Sequence, residues 1–279
     1  MVGAQGRQGG LREQERVNSY FEQEAAYWAH VYQGGGVQDV VYQERLRITL
    51  TLVDGIGLPP KARVLEVGSG AGFATVALAR RGFEVEAIDS VQAMVDRTRV
   101  RTAASGVAHQ VRCAVGDAHA LAFPDATFDL VLALGVLPWL PAVERPLREM
   151  RRVLRPGGCL IVSVDHRWGL SRLFDPVTNP LLRPVKMAAK RAFGRPDRPE
   201  PRAQLHSIGE FDSSLAACGV EKLEGATLGF GPLRLFGREI LPRPMGLALH
   251  RALQGLAERR FPLLRAAGSQ YLVLGRTQA

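Results

Sequence analysis

The sequence predicts a doubly wound α/β fold with a mostly parallel central sheet. Three observations carry that prediction. Five short apolar runs, at 64–67, 83–88, 110–115, 128–134 and 159–164, alternate with helix-like stretches over about 100 residues, as strands joined by helical crossovers do. The first run, Val64-Leu65-Glu66-Val67, opens into Gly68-Ser69-Gly70-Ala71-Gly72 and then a helix from Phe73 to near Arg81. Glycines at such a junction permit backbone angles and close approaches that a β-carbon blocks. Finally, Glu66, Asp89 and Asp117 all fall at strand carboxyl ends, the edge at which sheets of this class hold ligands.

With 279 residues, 46% hydrophobic and 23% charged, the chain has the make-up of one large globular domain. Residues 1–10, rich in Gly and Gln, read as disordered and carry no apolar core of a secretory signal. The longest nearly apolar run, 130–143, is broken by Gly135, Pro138 and Pro141 and is short for a bilayer span. Cys113, Cys159 and Cys218 are scattered through apolar segments. Buried reduced thiols are expected, and a cytoplasmic location with them. The six histidines are dispersed and no acidic cluster has ligand-like spacing, so no metal is expected.

The net charge of +9 is unevenly placed. Residues 166–206 hold nine Lys/Arg against three acids, and residues 234–265 hold seven Arg against two, so the remainder of the chain carries −2. These basic stretches allow three readings: solvated surface, recognition of an anionic acceptor, or peripheral contact with an anionic membrane at the inner face. They are not interleaved with stacking aromatics, so nucleic acid is not expected as a partner.

Along the chain, residues 11–58 read as an N-terminal helical lid. Val17, Tyr20, Phe21, Tyr27, Trp28 and Val31 recur at helical intervals. That aromatic face either covers the core or closes over a bound ligand and excludes water. Gly34-Gly35-Gly36 is a candidate hinge, and a second helix follows from about 40 to 53. Residues 59–279 form the main domain, with insertions at about 166–206 and 231–268. Asp89, seventeen positions past Gly72, is placed either to accept from ribose hydroxyls or to cap the helix that starts after Ser90. Asp117 can accept from an adenine amine while the Ala118 N–H donates to a ring nitrogen. Phe128–Leu134 is the fourth strand, Pro141–Leu154 a helix, Arg155–Gly158 a tight turn, and Cys159–Val164 the fifth strand. The first insertion carries a basic helix-like piece at 183–193 and a proline-dense connector at 194–201. A helix at 207–218 and strands at 220–230 and 270–274 follow, with a helical stripe of Met245, Leu249, Ala252, Leu253 and Leu256 between the strands.

The dinucleotide fingerprint G-x-G-x-x-G/A fails at its third small position, which is Phe73. What stands instead is an acid followed by three alternate glycines. Together with VEAIDSVQAMV, VGDAHALAFPDATFDLVLALGVL and LREMRRVLRPGGCLIVSV, this stretch resembles the class I S-adenosylmethionine-dependent methyltransferases. The subgroup is that of ubiquinone/menaquinone and natural-product enzymes. The resemblance covers residues 60–165. It implies a seven-stranded Rossmann-like sheet with the last two strands antiparallel, and S-adenosyl-L-methionine as cofactor with S-adenosyl-L-homocysteine as product. It further implies that Glu66, Gly68, Ser69, Gly70 and Gly72 hold the methionine part. Asp89 and Ser90 would bind ribose, Met94 would pack on adenine, Asp117 and Ala118 would read its edge, and the Leu134–Gly135 backbone would face the methionine amine. Relatives often carry a histidine just after the fourth strand, where Pro138-Trp139 stand here.

Methyl transfer from a sulfonium is an in-line displacement that needs alignment and exclusion of water more than a catalytic constellation. If the acceptor must lose a proton, His166 is the candidate base, with His206 and His30 as alternatives; for each, a solvated or hydrogen-bonded loop histidine is the favoured reading. Tyr20, Tyr27, Trp28, Trp139 and His166 are the candidate acceptor-pocket residues. The expected function is methylation of a small lipophilic or anionic acceptor, at oxygen before carbon or nitrogen. The rival readings are a dinucleotide-dependent oxidoreductase and a non-catalytic binding protein of the same fold.

Overall fold

The computed structural model describes residues 14–182, 184, 187–188, 201–259 and 261–278. The expectations for residues 1–10, and largely those for 183–193 and 194–201, lie outside the described residues.

The sheet follows the order β3-β2-β1-β4-β5-β10-β7. It is built from β1 (Arg63–Val67), β2 (Glu84–Asp89), β3 (Val111–Val115), β4 (Phe128–Ala133), β5 (Leu154–His166), β7 (Val220–Leu228) and β10 (Gln270–Thr277). A two-residue strand β6 (Leu205–His206) adds to β5, and β8 (Arg234–Leu235) pairs with β9 (Arg238–Glu239) in a separate hairpin. The strands from β3 to β5 run parallel, whereas β10 is antiparallel to both β5 and β7. This is the seven-stranded pattern the sequence led us to expect, and the reversal of strand order beside β1 places a ligand-binding crevice at the carboxyl ends of β1 and β4.

Each central strand is buried on both faces, which explains why the runs are continuously apolar rather than alternating. Leu65, Val131, Leu160 and Val162 face one core with Leu147, Met150 and Phe211. Val64, Leu130, Leu132 and Ile161 face the other with Val41, Val76 and Leu78. The second core is covered by α3 (Val37–Ile56) and α4 (Phe73–Ala79), the first by α6 (Glu144–Val153) and α8 (Ile208–Ala217). The Arg155–Gly158 segment interrupts pairing without ending the strand. Phe128 faces Leu154 and Leu130 faces Cys159, so four residues of β5 bulge out opposite Asp129.

The helical stripe from Val17 to Val31 is carried by two helices, α1 (14–23) and α2 (Ala25–His30), with a turn at Glu24. α5 (Gln92–Ala104) follows β2, and α7 (Leu170–Phe174) opens the first insertion. α9 (Arg243–Glu258) follows the expected helical stripe but does not bury it fully, Leu249 and Leu253 being half-buried. Its buried face is Gly246, His250, Gln254 and Ala257, whereas Met245 and Leu256 are exposed. The cause is hydrogen bonding. Gln254 Oε1 accepts from Gly229 N at 3.2 Å, and His250 Nδ1 accepts from Phe230 N at 3.3 Å, meeting the needs of backbone leaving β7. Among the described residues no helix is long and apolar enough to cross a membrane.

Candidate cofactor and acceptor site

One cavity spans the carboxyl ends of β1, β2, β4 and β5 and is closed by α1, α2 and α3. Its first half is the glycine turn. Val67 ends β1 and Phe73 begins α4, and the turn between them is tied down by its own amides. Gly68 N and Ser69 N both donate to Ile88 O, at 2.7 and 3.0 Å, and Gly72 N donates to Ser69 O at 2.9 Å. Gly70 N donates to Asp89 Oδ2 at 2.9 Å. Four of the N–H groups that a phosphate would need are therefore already used.

Carboxylates complete this half. Glu66 is buried, with Thr75 Oγ1 donating to Oε2, and burial pushes its carboxyl up to about 8, against the Thr75 hydrogen bond and with Asp89 adding. Asp89 lines the cavity while Oδ1 accepts from Val91 N at 3.0 Å. Burial raises its pKa, against hydrogen bonds from the Gly70, Val91 and Ser90 backbone. The helix that follows has Val91 as its N-cap and no side-chain cap, so Asp89 turns the chain ahead of the helix rather than capping it, and each oxygen retains a second lone pair for a ligand hydroxyl. Asp117 is more exposed and its Oδ1 engages His119 N and His119 Nδ1, both at 2.8 Å. Gly68, Ser69, Gly70, Ser90, Met94, Ala118, Leu134 and Gly135 also line this cavity.

Gly72 is a correction. It does not line the cavity; at φ +78° it closes the turn against α5, where a β-carbon would come within 3.0 Å of Thr98 Cα. Its role is helix packing.

The second half is walled by Val17, Phe21 and Trp28 from α1 and α2, Tyr32, Tyr42 and Arg45 beyond them, Pro138-Trp139-Leu140 after β4, and Asp165 and Gln270. Trp139 fastens α1: its ring stacks with Tyr20 at 5.9 Å and meets Phe21 edge-on at 5.1 Å. Trp28 meets Tyr42 at 5.7 Å, and Tyr32 lies 4.8 Å from Phe73. Of the expected acceptor-pocket residues, Trp28 and Trp139 line the cavity. Tyr20 supports Trp139 from behind, and Tyr27 is 47% exposed, so neither is a lining residue.

His166 is also corrected. It is buried, its Nδ1 lies 2.9 Å from Gly268 O, and it does not line the cavity. Burial lowers its pKa, which suits a neutral structural imidazole. The neighbouring strand position, Asp165, faces the cavity instead, because successive strand side chains point to opposite faces. Its Oδ2 accepts from Arg172 Nη2 at 2.9 Å, and burial raises its pKa against the pull of Arg172 and Arg45. His30 sits at the α2 C-terminus with its Nδ1 2.7 Å from Ala26 O, and His206 packs against Phe211; neither reaches the cavity.

Arg45 was not singled out in the sequence, yet it is the central cation here. It is 5% exposed, Nη2 donates to Tyr32 Oη at 2.9 Å, and the guanidinium lies 4.9 Å from the Tyr42 ring centroid. Its Nη1 would stand 2.7 Å from a β-carbon on Gly135, whose φ is +71°; glycine is required for that approach. A signal existed. Val37, Val41, Arg45, Thr49 and Val53 form the buried row of α3, so a basic residue interrupts an apolar row at strict four-residue spacing.

Among the described residues, four buried polar atoms on the cavity wall have no hydrogen-bond partner: Gln14 Oε1, Trp28 Nε1, Arg45 Nε and Gln270 Oε1. Native interiors seldom leave such groups unmet, and a ligand is the usual remedy. The arrangement fits an S-adenosylmethionine-like molecule. Three carboxyl groups, with Glu66 raised to about 8 and so poised to release its proton to a cation, surround a turn with little N–H capacity left, which suits a cationic nucleoside and disfavours a pyrophosphate. The orphaned Arg45 and Trp28 donors suit a carboxylate.

Comparison with known proteins agrees. A family model described as a methyltransferase domain matches residues 65–162. A malonyl-[acyl-carrier protein] O-methyltransferase of Halorhodospira halophila is 40% identical over 103 residues, covering 36% of this chain and 34% of its own length. A protein-L-isoaspartate O-methyltransferase of Methylorubrum populi is 37% identical over 151 residues, covering 50% of this chain and 70% of its own. The structure of magnesium protoporphyrin IX methyltransferase from Synechocystis superposes with a TM-score of 0.65 at 15% identity, covering 95% of this chain and all of that one. The chain belongs to the class I S-adenosylmethionine-dependent methyltransferases. It spans only about a third of the Halorhodospira relative's length.

Proposed function

We propose that this protein methylates a small acceptor held in the aromatic half of the cavity, with oxygen as the methylated atom. The observation that carries the reading is the division of one cavity into an acidic glycine-turn half and an aromatic half with unpartnered donors. S-adenosylmethionine, when bound, supplies a methyl group on a cationic sulfur, already activated for transfer. Asp89 accepts from ribose hydroxyls, Met94 packs on adenine, and Asp117 with the Ala118 N–H reads the adenine edge. The Gly135 N–H already donates to Ser163 Oγ at 2.8 Å, so carbonyl oxygens at Leu134 and Gly135 are what remain for an ammonium group. Arg45 takes the amino-acid carboxylate as a charge-assisted pair.

The chain's contribution to rate is alignment and dryness. Trp28, Trp139, Phe21 and Tyr42 wall the acceptor and exclude water, and Trp139 holds α1 down as a lid, with α2 joined to it through the Phe21–Trp28 ring pair. An oxygen acceptor must give up its proton, and Asp165 is the carboxylate placed in the cavity to receive it. The acceptor class is a flat, largely apolar molecule with one ionisable hydroxyl or carboxyl group.

Calorimetry with S-adenosylmethionine on wild type and Asp89→Ala tests the cofactor half. Micromolar binding, about −8 kcal/mol, weakened at least tenfold in the variant, is the expected result. No binding by folded wild type would overturn the reading.

A further inference from the structure

We infer that Gln270 determines acceptor specificity. Its side-chain oxygen takes a second hydrogen-bond donor, which the acceptor carries on the ring atom next to the methylated hydroxyl. The acceptor class narrows to aromatic rings with a hydroxyl that ionises and, beside it, a neutral hydroxyl or amine. The inference rests on the reading above that Asp165 faces the hydroxyl to be methylated.

Strand register brings the two side chains together. Gln270 opens β10 and pairs directly with Asp165, near the end of β5. Residues opposed in this way across an antiparallel pair share a face, with β-carbons about 5 Å apart. Alternation along the strands identifies that face. Leu272 and Leu274 of β10 and Ile161 of β5 lie with Val41 in the core that α3 covers. Gln270 and Asp165 continue these two rows past the core and into the cavity. An apolar residue at 270 would simply extend the core. An amide stands there instead, 5% exposed, and its Oε1 has no hydrogen-bond partner. Ser163, on the same face one step down β5, is satisfied, because its Oγ accepts from Gly135 N at 2.8 Å. A buried acceptor left unmet disfavours the free protein, and a ligand donor removes that penalty.

The other unmet atoms of the cavity have different roles. Trp28 Nε1 and Arg45 Nε are donors and suit a carboxylate. Gln14 belongs to the ribose side: its Nε2 donates to Asn18 Oδ1 at 3.0 Å, and that oxygen also accepts from Ser90 Oγ at 3.0 Å. What remains for the methyl acceptor is a pair of accepting groups, Gln270 Oε1 and the Asp165 carboxylate, whose Oδ2 is held by Arg172 at 2.9 Å. Two accepting groups side by side call for two donors. A ring with one hydroxyl meets Asp165 and leaves Gln270 buried and unmet. A site built to hydrogen-bond a group rejects the analogue lacking it far more strongly than an apolar wall rejects a change of shape.

The test is calorimetry on the full chain saturated with S-adenosylhomocysteine and titrated with three flat neutral probes. Methyl caffeate has two neighbouring hydroxyls, methyl ferulate has one of them replaced by methoxyl, and methyl para-coumarate has a single hydroxyl. Wild type is expected to bind methyl caffeate about tenfold or more tightly than either of the others. Gln270→Leu is expected to bring methyl caffeate down to the level of methyl para-coumarate, with Kd for S-adenosylhomocysteine unchanged. The ligand-free melting temperature of the variant is expected to be no lower than that of wild type, since the change removes an unmet acceptor rather than a bond. If the variant does not fold, the wild-type comparison decides alone. Equal binding of methyl caffeate and methyl para-coumarate, or no binding of either, overturns the inference. Methyl ferulate binding as well as methyl caffeate overturns it too, because the amide would then be donating. A lower melting temperature for the variant assigns Gln270 to internal packing, and weaker S-adenosylhomocysteine binding assigns it to the cofactor half; each result overturns the inference while leaving the methyltransferase reading in place. Failure of folded wild type to bind S-adenosylhomocysteine is the separate outcome that removes that reading, and the inference with it.

Discussion

The glycine-turn half of the cavity is drawn from residues 66–118 with Leu134 and Gly135, whereas the aromatic half gathers residues from Gln14 to Gln270. The first is built by backbone: amides of the turn close on Ile88 O and Asp89, and buried carboxylates stand beside them. The second is built by side chains that meet only once helices, loops and the last strand have packed. Local backbone geometry leaves a contiguous pattern in sequence, and long-range convergence does not. The difference also separates what the halves do, since a common cofactor can be held by a shared frame while an acceptor must be read by elements that vary.

The sharpest way to break this division is to disable the acceptor half alone. Asp165→Asn is expected to lower kcat about 10²–10⁴-fold while the dissociation constant for S-adenosylhomocysteine stays unchanged. A matching loss of cofactor affinity would place Asp165 in the cofactor half instead. Arg45 tests the border between the halves. Arg45→Met is expected to weaken S-adenosylhomocysteine about 10- to 100-fold, as loss of a charge-assisted contact does, but to leave methylthioadenosine binding alone, since that molecule lacks the amino-acid portion. Equal loss for both ligands would mean that Arg45 acts through packing.

Glu66 gives a pH signature for the cofactor half. Its folded carboxyl is pushed up to about 8 from an ordinary 4.5, so in the intermediate range the folded state holds a proton that the unfolded chain releases. The resulting stability is complete below about pH 4.5 and is lost as pH rises through 8. Glu66→Gln is expected to flatten that decline in the melting temperature. A cationic ligand favours the ionised form, so calorimetry near pH 7 in buffers of different ionisation enthalpy should show proton release in wild type and none in the variant. The smallest effect belongs to His166. His166→Gln is expected to change kcat by no more than about twofold, because a general base typically contributes far more than that; a hundredfold loss would return the imidazole to the chemistry.

Much of the fold was legible beforehand. The strand runs, the glycine turn and the acids at strand ends are legible in residue patterns, the antiparallel last pair follows only from the family resemblance, and all three acids line the cavity. The misplaced residues have specific causes. His166 was off by one strand position, and with a period of two that moves a side chain to the other face. Tyr20 and Tyr27 share a helical stripe with Phe21 and Trp28, but the break at Glu24 and the position of Trp139 decide which rings face inward. Gly72 looks like its two alternate partners in sequence, and only the approach of Thr98 shows that it serves packing.

The sequence by itself determined the run of strands alternating with helices and the acidic glycine turn, because each depends on periodicity and backbone permissiveness within a few residues. Tertiary structure alone decided that Arg45 enters the cavity beside Gly135, that α9 turns its polar residues inward, and that Asp175 binds one insertion to the other. Those outcomes rest on where buried hydrogen-bonding groups find partners across long stretches of chain, and local pattern carries no record of the partner.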